Sequence, residues 1–342
     1  MKTLMFQRKD RLRHNLHRPV HVGFILLLIG SLAALALPGA GGAKEWPSKP
    51  ITVIVPWAAG ASTDMTPRTL APKMSAILGV PIQVVNKAGG SGIIGTLEAV
   101  KAPADGYTLL ADCGGTSSIQ EAWSPNLPYK VEERTYIARA ICAPLVLIVP
   151  ASSPWKTVDE LVNAVRANPA GISFGVIGGT GVPDVAIAQF RAAMAAKGVD
   201  QSKTRPVTYK GSGEVGPAIG GGHISYSFTT PSACQALVGA GKIRALAMTS
   251  AQRYKNMPDV PTTAEAGWPS VDMVYWAGFA GPPGLPEPVV KAVDQATRDS
   301  LKDPEVVAKL AKIGLDPFYL SGEQFKKFVF EEVRSIKSLK IR

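Results

Sequence analysis

Two sets of residues in this 342-residue chain could do chemistry. The first is Gly90-Ser91-Gly92-Ile93-Ile94-Gly95, which follows the apolar run Ile82-Gln83-Val84-Val85 and precedes a helix-like segment. With the acid Asp112 about twenty residues on, it matches the pattern that seats a pyrophosphate on a helix start and a ribose on a carboxylate. An NAD-dependent oxidoreductase using residues 90–95 is therefore the alternative to be weighed. Two details oppose it. Lys87, Ala88 and Gly89 separate the strand from the first glycine, and the motif follows the second strand rather than the first.

The second set is a recurring turn: an apolar run ends in small residues that open a helix. It occurs at residues 56–64, 86–92, 112–118, 178–184 and 229–232. Open parallel sheets bind ligands beyond the carboxyl ends of their strands. Helix starts there offer unpaired N–H groups to carboxylate or phosphate, and Ser and Thr hydroxyls add donors. Five such turns imply a ligand cleft, and donors without an acid, base or nucleophile imply capture rather than conversion.

Other chemistry has little to work with. Of four histidines, His14, His17 and His21 lie near the N-terminus, so a hydrolase would have to use His223. Its plainer reading is a solvated turn residue. No H-E-x-x-H, G-x-S-x-G or P-loop pattern occurs. Cys113, Cys142 and Cys234 are too dispersed for a metal site and read as small apolar residues, with at most one disulfide. No cofactor or metal is expected.

Residues 1–43 read as a secretory signal peptide: a basic head, an apolar run over 24–37 and a small-residue exit ending at Ala43. The apolar run is short for a membrane span. Removing Lys2, Arg8, Lys9, Arg11, Arg13 and Arg18 with Asp10 lowers the formal charge from +11 by five, to +6. The remaining basic residues are scattered, so no nucleic-acid partner is expected. Export implies a periplasmic protein.

The elements that must position these turns alternate. Strands are expected at 51–55, 82–85 and 107–110, with helices at 64–78 and 93–101, a rhythm that makes a parallel sheet. Further strands fall at 145–149, 172–175, 205–209, 224–228, 243–248 and 274–280. Helices fall at 158–167, 185–196, 288–301, 304–313 and 324–337. Thr157 and Glu160 form a capping box. Two α/β halves result, with 145–149 and 274–280 as crossover strands.

Several stretches carry a family resemblance: Trp46-Pro47-Ser48-Lys49-Pro50-Ile51, Pro103-Ala104-Asp105-Gly106-Tyr107-Thr108, Tyr209-Lys210-Gly211-Ser212, Gly241-Lys242-Ile243-Arg244-Ala245 and Pro258-Asp259-Val260-Pro261-Thr262. Over nearly all of the chain beyond the signal peptide, the sequence resembles the substrate-binding proteins of tripartite tricarboxylate transporters, the Bug-type periplasmic receptors. The resemblance implies an α/β, type II-like periplasmic-binding-protein fold with a ligand cleft between two domains. These would be residues 44–145 with 277–342, and residues 146–276. It implies a small organic anion as ligand, transporter membrane subunits as partners, and a monomer.

It also implies that the first-strand loop and a facing second-domain loop grip a carboxylate through backbone groups and ordered water. The expected ligand-binding residues are Trp57, Ala58, Ala59, Gly60, Ala61, Ser62, Thr63 and Asp64 from the first loop and Gly115, Thr116 and Ser117 from the third-strand turn. Gly178, Gly179, Thr180, Asp184, Tyr209, Thr229, Thr230 and Trp276 complete the set. Ala61 stands where relatives usually have a second glycine. Gly181-Val182-Pro183-Asp184 replaces a Ser- and His-containing loop, and Thr229-Thr230 replaces an Asp-Asn pair. The last change removes the obvious partner for an amino-acid ammonium.

Overall fold

The computed structural model describes residues 46–179 and 181–339. The expected signal peptide and Thr180 lie outside the described residues. In chain order the elements begin with β1 (Ile51–Val55), α1 (Ser62–Leu78), β2 (Ile82–Asn86), α2 (Ile93–Val100), β3 (Thr108–Cys113), α3 (Ser118–Trp123) and β4 (Thr135–Pro144). There follow β5 (Val146–Pro150), α4 (Val158–Ala167), β6 (Ser173–Val176), α5 (Val182–Ala196), β7 (Arg205–Thr208), α6 (Ser212–Gly220), β8 (Ser227–Thr229), α7 (Pro231–Gly239) and β9 (Ile243–Met248). The chain closes with β10 (Val274–Gly281), α8 (Glu287–Ser300), α9 (Pro304–Lys312), β11 (Asp316–Ser321) and α10 (Gly322–Ser338).

Six strands form one sheet in the order β11-β4-β10-β3-β1-β2. β1 lies parallel to both β2 and β3, as the alternating pattern requires. β10 and β11 add antiparallel pairs on β4. β1 is almost continuous branched-chain sequence because helices cover both faces of a parallel strand, and four of its five residues are buried. A second sheet runs β8-β5-β9, and β6-β7 forms a parallel pair. A single bridge between Phe174 and Tyr226 stitches that pair to the approach of β8.

β4 passes into β5 through Leu145 alone, which carries the chain from the first sheet to the second; residues 249–273 bring it back into β10. Thr249 ties the two passages together. Its hydroxyl accepts from the Leu145 N–H at 2.8 Å and donates to the Met273 carbonyl at 2.6 Å. Among the described residues no helix is long and apolar enough to cross a membrane. The three cysteines are free; Cys113 and Cys234 are buried and Cys142 is partly exposed.

Candidate functional site

Val55 ends β1, and Pro56 and Trp57 turn the chain into α1. Asp64, in the first turn of α1, holds that loop shut. Its carboxylate accepts from the Gly60 N–H at 2.9 Å, Arg68 Nε at 2.8 Å and Asn86 Nδ2 at 2.8 Å. Asn86 also donates to the Trp57 carbonyl. The loop between β6 and α5 repeats the device: Asp184 accepts from the backbone N–H groups of Ile177 and Gly181. Each acid stands three residues after its helix N-cap, Ala61 or Gly181. Both are buried and turned into their own loops, which corrects the expectation that they face a ligand.

Between these loops lies a chamber of about 440 Å³ of empty space, part of it open to solvent. Four of its lining residues are Ala61, Gly181, Gly211 and Thr230. These are the N-cap residues of α1, α5, α6 and α7, and none has a side-chain cap hydrogen bond. Four helix starts therefore present their positive ends to one small space. Hydroxyls of Ser62, Thr63, Ser212, Thr230 and Tyr275 complete the polar wall, while Trp57, Ile177, Val182 and Pro183 make it apolar elsewhere. The Trp57 indole N–H is buried with no acceptor among the described residues. A second chamber adjoins the first and shares Trp57 and Ile177 with it; Ala58, Gly178, Tyr209 and Lys210 line its outer side.

Ligand acceptors could find neutral donors here. Burial pushes the Tyr275 hydroxyl well above its ordinary range and the Cys113 thiol upward, so both remain protonated at neutral pH. Among the described residues no acid or imidazole lines either chamber, and His223 is exposed in its turn. The arrangement can hold an anion.

The sequence profile of the tripartite tricarboxylate transporter family receptors matches residues 66–341. The chain belongs to that family. It is 31% identical over 84% of its length to a protein of Pseudomonas sp. strain P51, covering 87% of that protein. It is 29% identical to BugT of Bordetella pertussis over 91% of its length and 94% of that protein. Among solved structures, MatC of Rhodopseudomonas palustris with bound malate is 25% identical, with a TM-score of 0.78 over 87% of this chain and all of that one. The R. palustris protein Rpa4515 with adipate is 27% identical, with a TM-score of 0.80 over 86% of this chain and 97% of that one. The periplasmic binding protein BugD is 26% identical, with a TM-score of 0.77 over 86% of this chain and 97% of that one, in agreement with the fold class that the resemblance implied.

Within this receptor the expected residues divide. Trp57, Ala61, Ser62, Thr63, Gly115 and Thr230 line the inner chamber, and Ala58, Gly178 and Tyr209 the outer one. Ala59, Gly60 and Gly179 line neither. Thr116 and Ser117 line neither chamber: both are fully buried and give their hydroxyls to Asp112 at 2.7–2.8 Å. Thr229 is fully buried in β8. Trp276 is also core, edge-on to Phe325 with its indole N–H on Glu332 at 2.8 Å. Its neighbour Tyr275 points to the other face of β10, lines the chamber and meets Thr63 at 2.8 Å. Sequence reasoning missed Tyr275, Gly211 and Ser212; the last two form one more small-residue helix start, after Tyr209-Lys210.

The glycine motif has packing reasons for its glycines. A Cβ on Gly92 would stand 2.8 Å from Thr116 Cγ2 and 3.3 Å from the Trp57 ring. One on Gly95 would stand 2.6 Å from the Lys87 carbonyl and 2.8 Å from the Pro56 Cα. These glycines let α2 close onto the first loop. Asp112 has no freedom to bind a ribose. It is fully buried, and Arg134 Nη1 donates to both of its oxygens at 2.9 Å. The oxidoreductase alternative therefore loses its acid, and nothing among the relatives supports it.

Proposed function

We propose that this protein is an exported, non-catalytic receptor that captures a small carboxylate between two closing domains in the periplasm. The domains would be residues 44–145 with 277–342, and residues 146–276, the receptor acting as a monomer. It would deliver the ligand to membrane subunits of a tripartite transporter or report its presence. The observation that carries the reading is the convergence of four helix N-caps on one chamber whose walls bear hydroxyls and, among the described residues, no charged side chain. Helix ends stabilise an anion without a counter-charge that must itself be desolvated. The malate and adipate held by two of the structural neighbours belong to the same chemical class.

Calorimetric titration of the mature protein with mono- and dicarboxylates, aromatic acids and amino acids tests the reading. Saturable heats are expected from carboxylates and not from zwitterionic amino acids. Silence from every carboxylate with a folded sample would reject it.

A further inference from the structure

Arg68 lines neither chamber, yet its hydrogen bonds lead to the first loop, which does. Its Nε donates to Asp64 Oδ1 and its Nη2 to Asn86 Oδ1, each at 2.8 Å. With its oxygen engaged in this way, the Asn86 amide turns its nitrogen to the Trp57 carbonyl at 3.0 Å and to Asp64 Oδ1 at 2.8 Å. The other oxygen of Asp64 takes the Gly60 N–H at 2.9 Å, where the backbone is left-handed at φ 81°. One guanidinium is thus linked, through two side chains, to the backbone on both sides of Ala58-Ala59.

The charges follow the same path. The Asp64 side chain is 3% exposed and stands three residues after Ala61, the N-cap of α1 that lines the inner chamber. At about 1.5 Å of rise per residue, its carboxylate belongs to the helix turn whose positive end would receive the ligand. Arg68, one turn further along α1 and 47% exposed, is the cation paired with it. Arg68 itself borders a separate surface cleft with Lys309 and Lys312, so it acts on a bound ligand through Asp64 and Asn86 rather than by touch.

We infer that Arg68 is a positioning residue for ligand binding, which neutralises Asp64 and aims Asn86 so that the start of α1 stays receptive to an anion. This rests on the carboxylate reading above and deepens it. Without the guanidinium, an uncompensated carboxylate would share one helix start with the ligand, and like charges repel more strongly where water is scarce. The Asn86 amide would lose the donor that fixes its orientation, and with it the hold on the Trp57 carbonyl.

The test uses Arg68→Met, Arg68→Lys, Asp64→Asn and the double variant Arg68→Met with Asp64→Asn. Each is titrated calorimetrically with malate, adipate and benzoate at low and high salt, with melting curves to verify folding. Arg68→Met is expected to weaken the best of these ligands about tenfold at low salt, with the loss shrinking as salt is added. Arg68→Lys, which keeps the charge, should recover most of that loss. The double variant should return to within about threefold of wild type, because the repelling charge has gone with its counter-charge. A purely structural Arg68 gives the opposite result, since removing Asp64 as well strips the loop of another anchor. A double variant as weak as Arg68→Met, or full affinity in Arg68→Met, overturns the inference and leaves the carboxylate reading standing. Asp64→Asn alone should bind at least as tightly as wild type; a tenfold loss there overturns the charge role even where Arg68→Met fails to fold. No binding of any of the three ligands by folded wild type defeats both readings together.

Discussion

Ser62 and Thr230, 168 residues apart in sequence, meet hydroxyl to hydroxyl at 3.2 Å. Ser62 opens α1 beside the six-stranded sheet, and Thr230 caps α7 beside the β8-β5-β9 sheet. Ser232 closes the ring, 2.9 Å from each. Three small hydroxyls thus join the start of α1 to the start of α7, and two of them, Ser62 and Thr230, line the inner chamber. Each can turn its proton to suit a neighbour or a ligand oxygen.

If that ring stabilises the closed cleft, Ser62→Ala and Thr230→Val should each weaken ligand binding about two- to tenfold, since one hydrogen bond contributes roughly 0.5–1.5 kcal/mol net. The pair should be non-additive, because either change alone already breaks the ring. Calorimetry on both single variants and the double variant reads the coupling. Strictly additive losses would mean that each hydroxyl acts on its own.

Asp112 and Arg134 form the most enclosed ion pair described, with both side chains at 0% exposure. Removing one partner strands the other charge in the core. We predict that Asp112→Ala costs about 3–5 kcal/mol, whereas breaking an exposed pair such as Lys291–Glu287 should leave stability nearly unchanged. Chemical denaturation of Asp112→Ala and Glu287→Ala gives the comparison. Nicotinamide cofactors should leave the stability of the wild type unmoved; a shift would reopen the ribose role for Asp112.

Glu332 supplies a pH dependence. Burial raises its carboxyl to about 7, against the lowering pull of the Ser118 and Trp276 hydrogen bonds and of Arg139. The folded protein therefore holds this proton at pH values where the unfolded chain, near 4.5, has lost it. Stability from this group is full below about 4.5 and declines as pH rises toward 7. Glu332→Gln keeps an acceptor for Trp276 and never ionises. Its melting temperature relative to wild type should rise between pH 5 and pH 8, with the gap opening up to about pH 7. A constant offset across that range would show that Glu332 does not titrate there.

What the sequence discloses and what it hides can be traced to particular residues. β1, β3 and β5 are apolar runs closed by turn residues and are legible directly. β4 is not, because Arg139 interrupts it. The structure makes that charge tolerable by sheathing the guanidinium between the Phe318 and Phe328 rings, at 4.5 and 4.4 Å. β11 hides for another reason: Pro317 and an irregular register break its alternation on β4. In the site, the small-residue turns reveal where helices start around the cleft. They do not reveal which way a carboxylate points. Asp64, Asp112 and Asp184 all turn inward, toward loop amides or Arg134. Trp276 and Tyr275 show the same limit in a strand, where one position of register separates chamber wall from core.

The helix-terminus mechanism makes a prediction in which stability and affinity part company. Gly211 is the N-cap of α6, with extended backbone at φ −176° and ψ 166°, and a Cβ there would meet nothing within 4 Å. Any residue can adopt that backbone, and Asp is a strong N-cap because its carboxylate accepts from the first-turn N–H groups. Gly211→Asp should therefore leave folding stability equal or raise it by a few tenths of a kcal/mol. The same carboxylate would occupy the donors proposed for the ligand and place a negative charge on the chamber wall. Carboxylate affinity should fall more than tenfold, while Gly211→Asn, which caps without charge, should lose less. Melting curves and calorimetric titrations of the two variants decide the matter. Retained affinity in Gly211→Asp would show that α6 does not contribute its N-terminus to anion binding.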